Sequence, residues 1–150
     1  MLVIENTHGW SEARMAEVFP SMRSNLKKVI DLFPDELTEN FVFQQILGGM
    51  FQLWVVYDDS APEKAIISVL TRIKTYDATG VKFIEVLGLG GSRIDECAHL
   101  ISDIEEWGKS EHGAQRLRAI GRLGWRKAAR KQGYTDKAFV MEKNLEPDHG

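Results

Sequence analysis

With one cysteine, Cys97, in 150 residues, the chain cannot build an internal disulfide framework, and its cysteine usage suits a reducing compartment. It contains no apolar run approaching the roughly 20 residues that a membrane helix requires. The opening "MLVIENTHGW" has only a short apolar run and no basic flank, unlike a signal peptide. Net charge is −3, so no global attraction to nucleic acid or acidic lipid follows. The four histidines, His8, His99, His112 and His149, have no metal-ligand spacing. Internal repeats, low-complexity segments and linkers are also missing. What remains is a hydrophobic content of 43% and a charged content of 27%, ordinary for a globular chain whose length fits one domain, 1–150, with a real core.

The element order is read from periodicity and punctuation. "LVIE" is a short strand. "WSEARMAEVFPSMRSNLKKVIDLF" reads as helix, with Ser11 as cap and Pro20 expected to break or kink it before Ser21 restarts it. Pro34 ends that run, and "DELTENFVFQQILGG" is a second helical piece closed by Gly48 and Gly49. Three segments rich in β-formers follow, at about 51–57, 64–76 and 81–87, joined by short turns as an antiparallel meander. A helix from Ser92, a strand "QRLRAI", a helix "GWRKAARKQ" and a last strand "AFVMEKNL" complete the order. The expected class is α/β (α+β), a mixed sheet with an antiparallel meander and helices on both faces.

The most pointed stretch is "VKFIEVLGLGGSRIDECAHLISDIEEW", where a strand runs into Gly88, Gly90 and Gly91 and then into a helix. Strand, glycines and helix is how several folds cradle phosphate oxygens. Ser92 with Asp95 resembles a capping box, and Cys97, Leu100, Ile101, Ile104 and Trp107 form an apolar stripe. On that stripe Cys97 reads as a core thiol. Asp103, Glu105 and Glu106 are placed in water, and His99 on the helix flank. The helix's first amides would face the Gly90–Gly91 turn and welcome an anion. A dinucleotide fingerprint fails, because Arg93 stands where the third glycine belongs. A P-loop fails as well, since no Lys-Ser/Thr pair closes this glycine loop. A plain strand-to-helix turn is the simpler account of the glycines.

The order of elements resembles the GNAT superfamily of acetyl-CoA-dependent N-acyltransferases over nearly the whole chain, with "RAIGRLGWRKAARKQGYTDKAFVMEKNL" similar to its closing section and Gly133-Tyr134 in the place of its Gly-Phe pair. The resemblance implies a sheet that splays near Gly88 and a cofactor pyrophosphate held by amides around Gly88, Gly90, Gly91 and Ser92. It also implies a glutamate base on the strand, here Glu85. Two positions depart from the family pattern. Glu85 falls where the cofactor loop has Arg or Gln, and Ala129 falls where many members carry a tyrosine that protonates the leaving thiolate. An exposed sheet position is the plain reading of Glu85, and together the departures suggest a degenerate site.

From Arg116 to Lys131 the chain holds seven basic residues and no acid, set against an acidic preceding helix. This segment suits phosphates or an acidic protein face, or else it pairs with the acidic helix in solvent. "GRLGWRKAARKQGY" and "IEEWGK" resemble small GNAT-like proteins of tailed bacteriophages. The leading expectation is therefore a noncatalytic structural or interaction module of a virion or its assembly. It would be located in the virion or host cytoplasm, bind other virion proteins or copies of itself, and need no cofactor. Nucleic acid ranks behind protein as a partner, and no membrane is expected. The candidate partner residues are Trp10, Trp54, Arg122, Trp125, Arg126 and Arg130, with core packing as the plain alternative for each tryptophan. The alternative is an N-acetyltransferase using acetyl-CoA on an amine.

Overall fold

The computed structural model describes residues 1–121 and 123–146. The elements are β1 (Leu2–Asn6), α1 (Glu12–Ile30), α2 (Glu39–Leu47), β2 (Gln52–Asp58), β3 (Ile67–Thr75), β4 (Lys82–Gly91), α3 (Ile94–Cys97), α4 (Ile101–His112), β5 (Arg116–Ala119) and α5 (Arg126–Lys131). Short 3-10 turns at Ala98–Leu100 and Leu123–Trp125 join α3 to α4 and lead into α5. The sheet runs in the order β1-β2-β3-β4-β5. Its first three pairings are antiparallel and the last, β4 with β5, is parallel. A parallel partner requires a crossover, which α3 and α4 supply.

Helices cover both faces, as expected. Leu53, Val55, Tyr57 and Leu70 meet α1 and α2 in one core. Trp54, Val56, Val69, Ile84 and Val86 meet Cys97 and Ile104 in the other. This is why β2 reads as a continuous apolar run and not as a clean alternation.

Local signals set most of the ends. Ser11 caps α1 by accepting from the Arg14 amide at 3.1 Å, and Thr38 caps α2 by accepting from Phe41 at 3.2 Å. Gly48 and Gly49 close α2, donating to Gln44 and Ile46. Pro20 does not break α1, which continues through it to Ile30 and stops short of Pro34. Pro20 and Ala16 both lie on the exposed side, so water can take the carbonyl that proline leaves unpaired. Buried Val18, Met22 and Leu26 hold the helix on the sheet across that point.

Two expectations fail at the ends of the crossover. The helix after the glycines is not one helix but α3 and α4, separated by a 3-10 turn. The segment "AFVMEKNL" forms no strand, and Phe139, Val140 and Met141 are exposed. β5 offers only four ladder residues before the chain turns toward α5, so the alternating segment finds no ladder.

Candidate functional site

Gly88, Gly90 and Gly91 lie inside β4, paired with Leu70, Ser68 and Ile67 of β3, and not in a turn. A β-carbon on Gly88 would overlap the Val29 side chain, and one on Gly90 would overlap the Asn25 carbonyl oxygen. On Gly91, at φ +145°, it would overlap the Ile66 carbonyl oxygen. Gly88 and Gly90 therefore let α1 lie directly on the strand, and Gly91 lets the chain pass close to Ile66. Around them, Asn25 Nδ2 donates to the Ala65 carbonyl at 3.0 Å and Ser68 Oγ donates to the Met22 carbonyl at 3.3 Å.

Two parts of the expected pyrophosphate cradle are already engaged. The space over Gly88 and Gly90 is filled by α1, and the Ser92 amide already donates to the Ile66 carbonyl at 3.1 Å. Ser92 is not the N-cap. Arg93 takes that place at φ 56° and ψ 38°, with no side-chain cap bond, and pairs with Glu96 at 2.6 Å. α3 has four residues and carries Asp95 and Glu96 in its first turn, which repel an anion.

The expected splay is present one step earlier. The β4–β5 ladder ends at Val86 opposite Ala119, with a last bond from the Ile120 amide to the Val86 carbonyl at 3.4 Å. Immediately beyond, Leu87 forms a bulge against the Leu70/Thr71 step of β3. The Ser92 amide points to β3, so strand alternation turns the backbone groups of Leu89 and Gly91 to the opposite edge, where the β5 ladder has ended.

That divergence opens on an apolar cavity of ≈ 110 Å³ between the sheet, α3, α4 and α5. Val56, Val69 and Val86 form its floor, and Cys97, Ile101 and Ile104 its roof. Ala119, Ala128, Ala129 and Trp125 close the side toward α5. Ala129 presents no proton donor, as its identity requires. Tyr134, whose pairing with Gly133 the sequence brought forward only as a family likeness, also lines the cavity. Its hydroxyl is buried within reach of the Glu105 carboxylate but makes no hydrogen bond of full geometry. Burial, reinforced by the Glu105 carboxylate nearby, holds this phenol well above its ordinary range. Glu105 is accordingly half-buried, not a water-facing residue of α4. Burial likewise pushes the Cys97 thiol up, consistent with an inert core thiol.

Glu85 is not an exposed sheet residue. It is 8% exposed, and alternation from Ile84 and Val86 places it on the α1/α2 face of β4. Its Oε1 accepts from Arg72 Nη2 at 2.8 Å and Nε at 3.2 Å across the β3–β4 register. Its Oε2 accepts no hydrogen bond among the described residues. Arg118 of β5 stands beside it in register on the other side.

The proposed partner residues separate. Trp54 is buried, donating to Thr71 Oγ1 at 3.0 Å and packed edge-on against Trp107, so it is core and offers no anchor. Trp10 donates to Glu5 at 3.0 Å beneath the Arg14 guanidinium, which lies 3.9 Å above its ring. Burial alone would raise the Glu5 carboxyl, but hydrogen bonds from Arg14, Tyr57 and Trp10 outweigh it and hold the group below its ordinary value. Trp125 is half-buried against Gly121. Arg126 and Arg130 both bind Asp136, Arg130 at 2.6 Å, and their bonds hold that carboxyl low. Two of the four basic residues of α5 thus pair with the segment after it, and none forms an ion pair with α4 among the described residues. Arg122 and His149 lie outside the described residues. Among the described residues no cluster of His, Cys, Asp and Glu could hold a metal, and no helix is long and apolar enough to cross a membrane.

No family model matches the sequence, and no curated protein matches it. Solved structures do. Glucosamine-6-phosphate N-acetyltransferase from Arabidopsis thaliana superposes with TM-score 0.63 at 14% identity, covering 97% of this chain and 99% of its own. An aminoglycoside acetyltransferase from an uncultured soil metagenomic sample, in complex with sisomicin, gives 0.63 at 14% identity over 98% of this chain and 97% of that one. A predicted acetyltransferase from Clostridium acetobutylicum, solved with acetyl-CoA, gives 0.62 at 13% identity over 100% of both chains. At such identities the likeness speaks to architecture: this chain has the fold of the GNAT acetyltransferases.

Proposed function

We propose that the protein transfers an acyl group from a thioester to an amine at the divergence of β4 and β5. The observation that carries this reading is Glu85, a buried carboxylate two residues before the β4 bulge, with Oε1 held by Arg72 and Oε2 free. A carboxylate so oriented can receive the proton of an attacking amine. The amine nitrogen forms a bond to the acyl carbon, the carbon–sulfur bond breaks, and the amine proton passes to Oε2. The thiolate takes its proton from solvent or a neighbouring donor, since Ala129 has none. The fold shared with acetyltransferases of matching length supports the same chemistry, though fold alone does not specify function. Acetyl-CoA is one donor of this class.

The test is thiol release from acyl-CoA and acyl-pantetheine donors in the presence of amino sugars, aminoglycosides and lysine peptides. Glu85→Gln should lower turnover by about 10²-fold while the protein remains folded. Absence of thiol release from the wild type with every donor would overturn the reading.

A second reading, a noncatalytic interaction module of a virion or its assembly, is favoured by one observation. Phe139, Val140 and Met141 are exposed β-formers without a ladder, available to a strand of another copy or of another virion protein. Nucleic acid ranks behind this, because Arg126 and Arg130 are already paired with Asp136.

A further inference from the structure

The cavity at the β4–β5 divergence has a size and a chemistry that an acetyl group does not use. Its walls are carbon from the sheet floor to α5, and it is widened by small residues on separate elements: Ala98, Ala119, Gly121, Ala128 and Ala129. Leucine-sized side chains at these points would close it. Interiors are otherwise packed near crystal density, and a partly open apolar pocket of ≈ 110 Å³ forgoes packing that a guest would restore. Apolar cavities stay dry and take apolar guests, and one of about 150 Å³ accommodates a six-carbon ring.

We infer that this cavity is an acyl-chain site: it receives a linear chain of about four carbons carried on a thioester, so that the preferred donor is of the butyryl class and not acetyl. The inference rests on the acyl-transfer reading above and names its donor. The cavity borders Val86, Ala119 and Ile120, where the ladder ends, and Glu85 precedes Val86 on the opposite face of the same strand. A chain lying in the cavity therefore brings its carbonyl toward the gap between the strands, with the base on the far side. The cavity also borders Tyr134, whose buried hydroxyl makes no hydrogen bond of full geometry although the Glu105 carboxylate is close. With its bond to Glu105 incomplete, this hydroxyl has a donor to offer a thioester carbonyl oxygen. The phenol stays protonated at neutral pH, held so by burial and by Glu105. No covalent step is assigned to Cys97, whose thiol is buried in the roof.

Calorimetric titration of the full chain with acetyl-, butyryl-, hexanoyl- and decanoyl-CoA, and with butyryl-pantetheine, tests this. Each buried methylene tightens binding about fourfold, so butyryl-CoA should bind ~15-fold more tightly than acetyl-CoA. Decanoyl-CoA should gain nothing over butyryl-CoA, and butyryl-pantetheine should retain measurable binding because the chain itself is held. Ala129→Leu, and separately the milder Ala98→Val, should shrink the butyryl advantage. Tyr134→Phe should weaken butyryl-CoA by about fivefold. Equal affinity for acetyl- and butyryl-CoA would overturn the acyl-chain site and leave the transfer reading standing. So would a butyryl advantage untouched in both filled variants. Failure of every thioester to bind would overturn both.

Discussion

The two faces of the sheet are built differently. On the α1/α2 face the contact is tight enough to demand glycine, and the buried side chains of Asn25 and Ser68 both find partners. On the α3–α5 face the crossover helix is broken, α5 has six residues, a cavity remains, and the Tyr134 hydroxyl makes no hydrogen bond of full geometry. The first face holds the molecule together. The second gives up packing where the strands part, as expected of a face that receives a ligand.

The sharpest way to break this comparison is Gly90→Ala. Its β-carbon would meet the Asn25 carbonyl, which cannot swing aside as a side chain tip can, so urea unfolding should show a loss of about 3 kcal/mol or more. A loss below 1 kcal/mol would mean that α1 yields readily and that the two faces are alike. Ala129→Leu should have the opposite sign. Filling the cavity should raise stability by about 1 kcal/mol while reducing binding of butyryl thioesters.

The smallest effect concerns pH, at the Trp10–Glu5–Arg14–Tyr57 cluster at the edge of the tight face. The folded Glu5 carboxyl lies below its ordinary value of 4.5, so it contributes stability above that value and loses it as pH falls through the lower folded value. Glu5→Gln should therefore flatten the acid limb of the melting-temperature profile below about pH 4.5 and cost stability at neutral pH. An unchanged acid limb would show that the cluster carries no linked stability.

Much of the fold was legible because its signals are local. Ser11 and Thr38 cap where they stand, Gly48 and Gly49 stop α2, and the three β-rich segments became β2, β3 and β4 with ends shifted by a few residues. Where the reading failed, the deciding partner was distant in sequence. Pro20 looked like a breaker because its neighbours on the sheet were invisible, and "AFVMEKNL" looked like a strand because β5's short ladder was. Ser92 and Asp95 matched a capping pattern, but Ser92 lies at the end of the β3–β4 ladder with its amide bound to Ile66, and Arg93 takes the cap position.

By itself the sequence determined the order of elements, the sheet's two-sided burial and the absence of a metal or dinucleotide motif, because periodicity, caps and motif spacing act within a few residues of chain. Only the tertiary structure decided what the glycines are for, since that depends on Val29, Asn25 and Ile66 lying on them. It also decided the surroundings of Glu85, which rest on strand register, the Leu87 bulge and an arginine thirteen residues away. It alone decided that Tyr134 ends in a cavity. Burial is a property of what the rest of the chain places around a residue, and no local pattern contains it.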